Sequence, residues 1–215
     1  MHLLVLRSDL IRRVSLLRCN AMAAPFEKAF DAHRALAEQA SASLDETAAT
    51  ASKSEVMVIH YRDEEVIYIQ AAHDQVTVIF AFLFRDKADR ILGKAFLSEF
   101  ENTRRRALHT APQVLYMDDP PLEIRGVPGV LDAHGQRADD FGYITFVLAP
   151  RHVTQQRSQH CITHLQSFRE YFHDHIKAAK VSGLGDSVLV KTGELTRSSL
   201  ICTQELSGRP SISRR

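Results

Sequence analysis

Eleven histidines stand in this chain of 215 residues, each a potential metal ligand or proton carrier near neutral pH. Four of them crowd one stretch: His160 and His164, with Cys161 between them, then His173 and His175. The His160/His164 spacing of i,i+4 places two imidazoles on one face of a helix, as in a zinc-binding helix. A centre built from all four fails on helical geometry. His164 and His175 share a similar face but are separated by about 16 Å at 1.5 Å per residue, and His173 points to the opposite side. No carboxylate occupies the position where a metalloprotease helix carries its general base. These histidines are expected to border an apolar stripe and hydrogen-bond to neighbours, with no stoichiometric metal and no cofactor.

Other chemistry thins out on inspection. The pairs Asp118-Asp119 and Asp139-Asp140 have the residue types for general acid–base work. Both lie in a segment rich in proline and glycine with no partner at a fixed spacing, so they read as solvated loop charge. No glycine-rich phosphate loop is present, and Cys161 has no base aimed at it. A catalytic role is not expected. The remaining cluster is Arg104-Arg105-Arg106, which suits a helix C-terminus, where basic side chains meet the negative end of the helix dipole. Nucleic-acid binding is a weak reading of it, because no aromatic platform is interleaved and the formal net charge is +1.

Composition frames the positioning elements. Hydrophobic residues make up 45% and charged residues 25%, the balance of a globular domain with a real core. Three scattered cysteines (Cys19, Cys161, Cys202) suit a reducing, cytosolic setting. The apolar start Met1–Leu6 is cut off by Arg7, Asp9, Arg12 and Arg13, too short for a signal peptide or a membrane span.

Along the chain, Leu10, Val14, Leu17 and Ala21 recur at helical spacing from Ser8 to about His33, with Pro25 expected to kink or split the helix and Phe26 and Phe30 to anchor one face. Residues 34–54, mostly Ala, Ser, Thr and Glu, read as a flexible insertion whose alanines extend the helix a little. Val56–Tyr61, Val66–Ile69 and Val76–Phe80 are β-branched, aromatic runs joined by short polar turns, hence an antiparallel meander. Asp89–Leu108 reads as a helix, although Gly93 suits neither helix nor strand. Gln113–Met117 and Gly142–Ala149 are two further strands around a long loop. Gln155–Lys180 is the clearest amphipathic helix, with Cys161, Leu165, Phe168, Phe172, Ile176 and Ala179 on one face. The order α-β-β-β-α-β-β-α implies an α+β fold in two layers, a mainly antiparallel sheet with helices on one face. Residues 181–215 lose all periodicity and read as a disordered tail, with a possible short strand at Ser187–Val190.

Two landmark runs, Arg104–Leu115 and Gly142–His152, resemble subunit 2 of the actin-related protein 2/3 (Arp2/3) complex. Further runs match in order: Phe26-Glu27-Lys28, His60-Tyr61-Arg62-Asp63, Gln75-Val76-Thr77-Val78, Gly93-Lys94, Pro120-Pro121-Leu122-Glu123 and Phe168–Lys177. The resemblance is to the family's second domain and runs roughly from Asp9 to Lys180, apart from the insertion and a variable stretch between Arg125 and Asp140. The chain divides into a linking helix over 1–33, the insertion at 34–54, the domain proper over 55–180 and a divergent tail over 181–215. The family's first domain and its long C-terminal helix find no match.

The resemblance implies a cytoplasmic structural subunit of the actin cytoskeleton. It would pair with subunit 4, contribute to filament nucleation and branching, and rest on the mother filament. On that reading Arg104, Arg105, Arg106, Arg151, Arg169 and Lys177 are the actin-contact candidates, and Phe168, Phe172 and Ile176 are candidates for the subunit interface. The alternatives are a free-standing dimerisation or chaperone-like module of the same fold, or a histidine-based metal enzyme.

Overall fold

The three β-branched runs between residues 56 and 84 become strands β1 (Met57–Arg62), β2 (Glu65–Ala71) and β3 (Val76–Leu83) in a computed structural model. The structure describes residues 2–42, 53–62, 64–84, 86–107, 110–136 and 140–181. Strands β4 (Gln113–Met117) and β5 (Phe141–Leu148) complete one sheet in the order β1-β2-β3-β5-β4, with every neighbouring pair antiparallel. Burial explains this order. Strands β3 and β5 are apolar on both faces and sit centrally, whereas β1 alternates between half-buried and exposed residues and takes an edge.

Three long helices cover one face: α1 (His2–Ala42), α2 (Lys87–Ala107) and a last helix at Ser158–Val181. The side chains meeting them come from alternate strand positions, among them Ile69, Val78, Phe80, Phe82 and Phe146. The opposite face is not left bare. Ile79, Tyr68 and Tyr143 are capped by Ile124 of a short 3-10 turn and by Val130 of α3 (Val130–Gln136), a helix within the stretch the sequence suggested was only loop. The final helix is therefore α4.

Pro25 does not split α1. The helix runs through it and on to Ala42, into the stretch read as an insertion. A proline within a helix loses one backbone bond and crowds the preceding turn, at a cost of about 3 kcal/mol. Here the turns that follow it are seated by Phe26, Ala29 and Phe30, all buried. His33, also buried, donates from Nδ1 to the carbonyl of Ala72 at 2.6 Å and fixes the helix against the end of β2. The expected tail and its possible strand lie outside the described residues.

Gly93 has a packing reason that periodicity could not reveal. A Cβ there would stand 2.9 Å from Cζ of Phe172, so α2 crosses α4 closely at this point. Gly142 is tighter still, with a built Cβ 2.5 Å from the Tyr116 hydroxyl and 2.7 Å from the Phe84 ring. Gly142→Ala is expected to lower unfolding free energy by about 1–3 kcal/mol through overpacking. Phe172→Ala, which empties the centre of the core, should lower it by about 3–5 kcal/mol. Urea unfolding of both variants checks the two values, and a Gly142→Ala variant as stable as the parent would contradict the close approach.

Candidate functional site: a basic end and an apolar cleft

The arginine triplet closes α2, in its last turn, where the dipole argument places it. Its members are not equivalent. Arg104 grips Glu101 with both Nε and Nη2, each at 2.8 Å, and only 17% of its side chain is exposed. That grip, more than burial opposes it, holds the Glu101 carboxyl below its usual range. Arg105 donates to the same carboxylate at 3.0 Å yet remains 68% exposed. Arg106 is exposed as well. One carboxylate thus serves both Arg104 and Arg105, and the exposed part of the triplet is Arg105 and Arg106.

Arg151 belongs to the same end of the molecule through a residue that sequence reasoning passed over. The 3-10 turn Pro150–His152 follows β5 and leaves Arg151 exposed and His152 buried. His152 Nδ1 accepts the Ala149 backbone N–H at 3.0 Å, so Nε2 carries the proton and donates to the carbonyl of Thr110 at 2.7 Å. Thr110 lies between the C-terminal end of α2 and β4. The two sequence runs that carry the resemblance, Arg104–Leu115 and Gly142–His152, are therefore joined by strand pairing and by this imidazole. Burial pushes the His152 pKa down, and the nearby Arg151 and Arg157 add to the effect, against the hydrogen bond to Thr110.

Arg169 does not face outward. It ion-pairs with Glu65, the two being 14% and 12% exposed, and its guanidinium sits 5.4 Å from the centre of the Tyr61 ring. Burial works to raise the Glu65 carboxyl, but His173 and Arg169 more than offset it. The pair ties α4 to the β1–β2 edge. Lys177 is on the outer face of α4, 74% exposed and 3.5 Å from Asp174.

The three apolar interface candidates separate in the same way. Phe172 and Ile176 are enclosed by this chain's own core, with Phe172 5.1 Å from the Phe82 ring. They have no surface to offer another subunit. Phe168 is half-buried and stands edge-on to Phe146 at 4.7 Å. It lines a cleft of about 270 Å³ between α2 and α4, with Phe96, Phe100, Leu165 and Tyr171 among the walls.

Asp118 corrects a further expectation. It accepts from Arg90 at 2.7 Å and Lys94 at 2.6 Å, binding α2 to the end of β4 rather than standing as solvated loop charge. Burial alone pushes the Cys161 thiol up to about 12, which suits an inert core cysteine. Among the described residues, no group of three or more His, Cys, Asp or Glu is placed to hold a metal ion. No helix among them is long and apolar enough to cross a membrane.

The described residues thus form a two-layer α+β domain with a cationic end and an apolar cleft. The model of the Arp2/3 complex 34 kD subunit, p34-Arc, matches residues 5–182. The actin-related protein 2/3 complex subunit 2 of Schizosaccharomyces pombe is 47% identical over 182 residues, covering 81% of this chain and 55% of the relative. The protein of the same name from Dictyostelium discoideum is 34% identical over 175 residues, covering 81% and 53%. The chain belongs to the p34-Arc family of Arp2/3 complex subunits. It spans about half the length of the curated relatives it matches.

His152 yields a pH prediction with a definite sign. Its folded pKa is depressed, so the unfolded chain takes up a proton first as pH falls below about 6.5, and stability present above that value is lost on acidification. His152→Gln should destabilise the domain at neutral pH by about 1–3 kcal/mol. The gap between parent and variant should narrow below about pH 6.5. Chemical denaturation across pH checks this; a gap that stays constant would show that His152 does not titrate with unfolding.

Proposed function

We propose that this chain serves as an actin-binding structural subunit of the Arp2/3 complex. In this role it pairs with subunit 4 and contributes to filament nucleation and branching by resting on the mother filament. The observation that carries the reading is the family match across residues 5–182, which takes in every strand and helix of the described domain apart from the first few residues of α1. The role is one of binding rather than catalysis, exercised in the cytoplasm at the actin cytoskeleton.

The surface supports a division of labour. Arg105, Arg106 and Arg151 present positive charge at one end, and Lys177 presents it on the outer face of α4. Such rim cations steer a domain toward an acidic filament flank and act chiefly on association rate and salt dependence. Arg104 and Arg169 are turned inward and serve the fold. The cleft beside Phe168 offers apolar surface for the permanent partner, subunit 4.

Isolation of the tagged chain from a lysate should recover subunit 4 together with the two actin-related proteins. Recovery of a homodimer free of them would instead support a free-standing module. Once the chain is incorporated, Arg105→Glu combined with Arg106→Glu should weaken co-sedimentation with actin filaments several-fold at low salt. The difference should shrink as salt screens the contact, while circular dichroism stays unchanged. Equal co-sedimentation of parent and variant across the salt series would remove these two arginines from the filament contact.

A further inference from the structure

His160 and His164 stand one turn apart near the start of α4. Their Nε2 atoms are 3.1 Å apart, with ring centroids 4.4 Å apart and planes at 89°. Two imidazole nitrogens held so close require something positive between them. In the metal-free pair a proton fills that place, with one Nε2–H donating to the lone pair of the other. A metal ion can replace it. With Zn–N bonds of about 2.0–2.1 Å, two ligands of one ion are separated by about 2.9 Å at a right angle and about 3.4 Å at the tetrahedral angle. The separation found here falls inside that window. Chelation requires the rings, now at 89° to each other, to turn until both lone pairs aim at one point. We propose that His160 and His164 form a chelating site for a divalent late transition ion, with Zn²⁺ as the reference case.

The surroundings define what kind of site this is. Cys161 is buried in the core and is not a donor, and Gln159 is turned to Glu27 at 2.6 Å. With no group of three or more protein donors among the described residues, the pair is a two-ligand site whose other positions fall to water or to a donor from a bound partner. Its affinity will be far below that of a four-ligand structural zinc centre. Imidazole selects zinc, copper and nickel over magnesium and calcium, which require oxygen ligands. The positive end of the α4 dipole works against a cation here, but solvent screens that effect at an exposed helix start. His164 also lines the apolar cleft, so a bound ion would sit at the cleft's rim. The sequence leads to the expectation of no stoichiometric metal on any of these histidines, and the 3.1 Å separation of the two Nε2 atoms is the observation that sets this pair apart.

Isothermal titration of the folded chain with Zn²⁺ tests the proposal, with His160→Gln, His164→Gln and the double variant in parallel and Mg²⁺ as the control ion. One equivalent of Zn²⁺ should bind the parent, each single variant should bind it at least about tenfold more weakly through loss of the chelate, and Mg²⁺ should give no binding. The melting temperature should rise with Zn²⁺ in the parent and not in the double variant, because the ion binds the folded helix in preference to the unfolded chain. Circular dichroism confirms that the variants remain folded. Absence of Zn²⁺ binding to the parent would overturn the proposal. So would binding of equal strength in the double variant, which would place the ion on other histidines.

Discussion

The apolar stripe of α4 lying across the sheet is the constraint on which the other features rest. Phe172 and Ile176 are sealed against Phe82, Phe84 and Phe96, and Phe168 closes on Phe80 and Phe146. Burying a large side chain of this kind contributes about 1.5–3 kcal/mol, and aromatic pairs at these separations add about 0.5–1.5 kcal/mol each. Once the stripe is seated, the rotation of α4 is fixed and so is everything its other faces carry. Arg169 reaches Glu65 on β2, Lys180 reaches Asp86 and Asp89 at the start of α2, and His160 and His164 face outward together. Helices α2 and α4 approach closely at Gly93 and Phe172, and the cleft opens between them beside Phe96, Phe100 and Leu165.

Charge on this molecule is sorted by whether a carboxylate has been built to meet it. Glu101 holds Arg104, Glu65 holds Arg169, and Asp118 holds Arg90 and Lys94. Each of these cations joins one element to another or closes a helix turn, and their removal would be felt as lost structure. Arg105 shares the Glu101 carboxylate yet stays largely exposed, and Arg106 is exposed beside it. Because a sequence displays all of these residues alike, a contact surface drawn from basic composition alone mixes cations that maintain the fold with cations left exposed.

Much of the fold was legible for a physical reason. Strands β3 and β5 are apolar on both faces, and no polar alternative competes with a central place in the sheet. Helices α2 and α4 were legible because their apolar residues return every three or four positions. What escaped depends on partners far away in sequence. Continuation of α1 through Pro25 is decided by what buries Phe26 and Phe30, and α3 exists because Val130 covers the back of the sheet. His152 looks like any exposed histidine until its 2.7 Å bond to Thr110 is known. The stripe of α4 marks the boundary of such reading: periodicity reveals an apolar face, but not whether the chain's own sheet or another subunit covers it. For Phe172 and Ile176 the sheet does.

The arginines divide into an inward set and an outward set, and the outward set is the one proposed to meet the filament. Footprinting with an arginine-selective dicarbonyl reagent, read residue by residue by mass spectrometry, addresses it directly. In the filament-free state Arg105 and Arg106 should react quickly while Arg104 and Arg169 are protected. On addition of actin filaments to the assembled complex, Arg105 and Arg106 should become protected too. Rapid labelling of Arg104 and Arg169 in the folded chain, or labelling of Arg105 and Arg106 that filaments leave unchanged, would contradict the account.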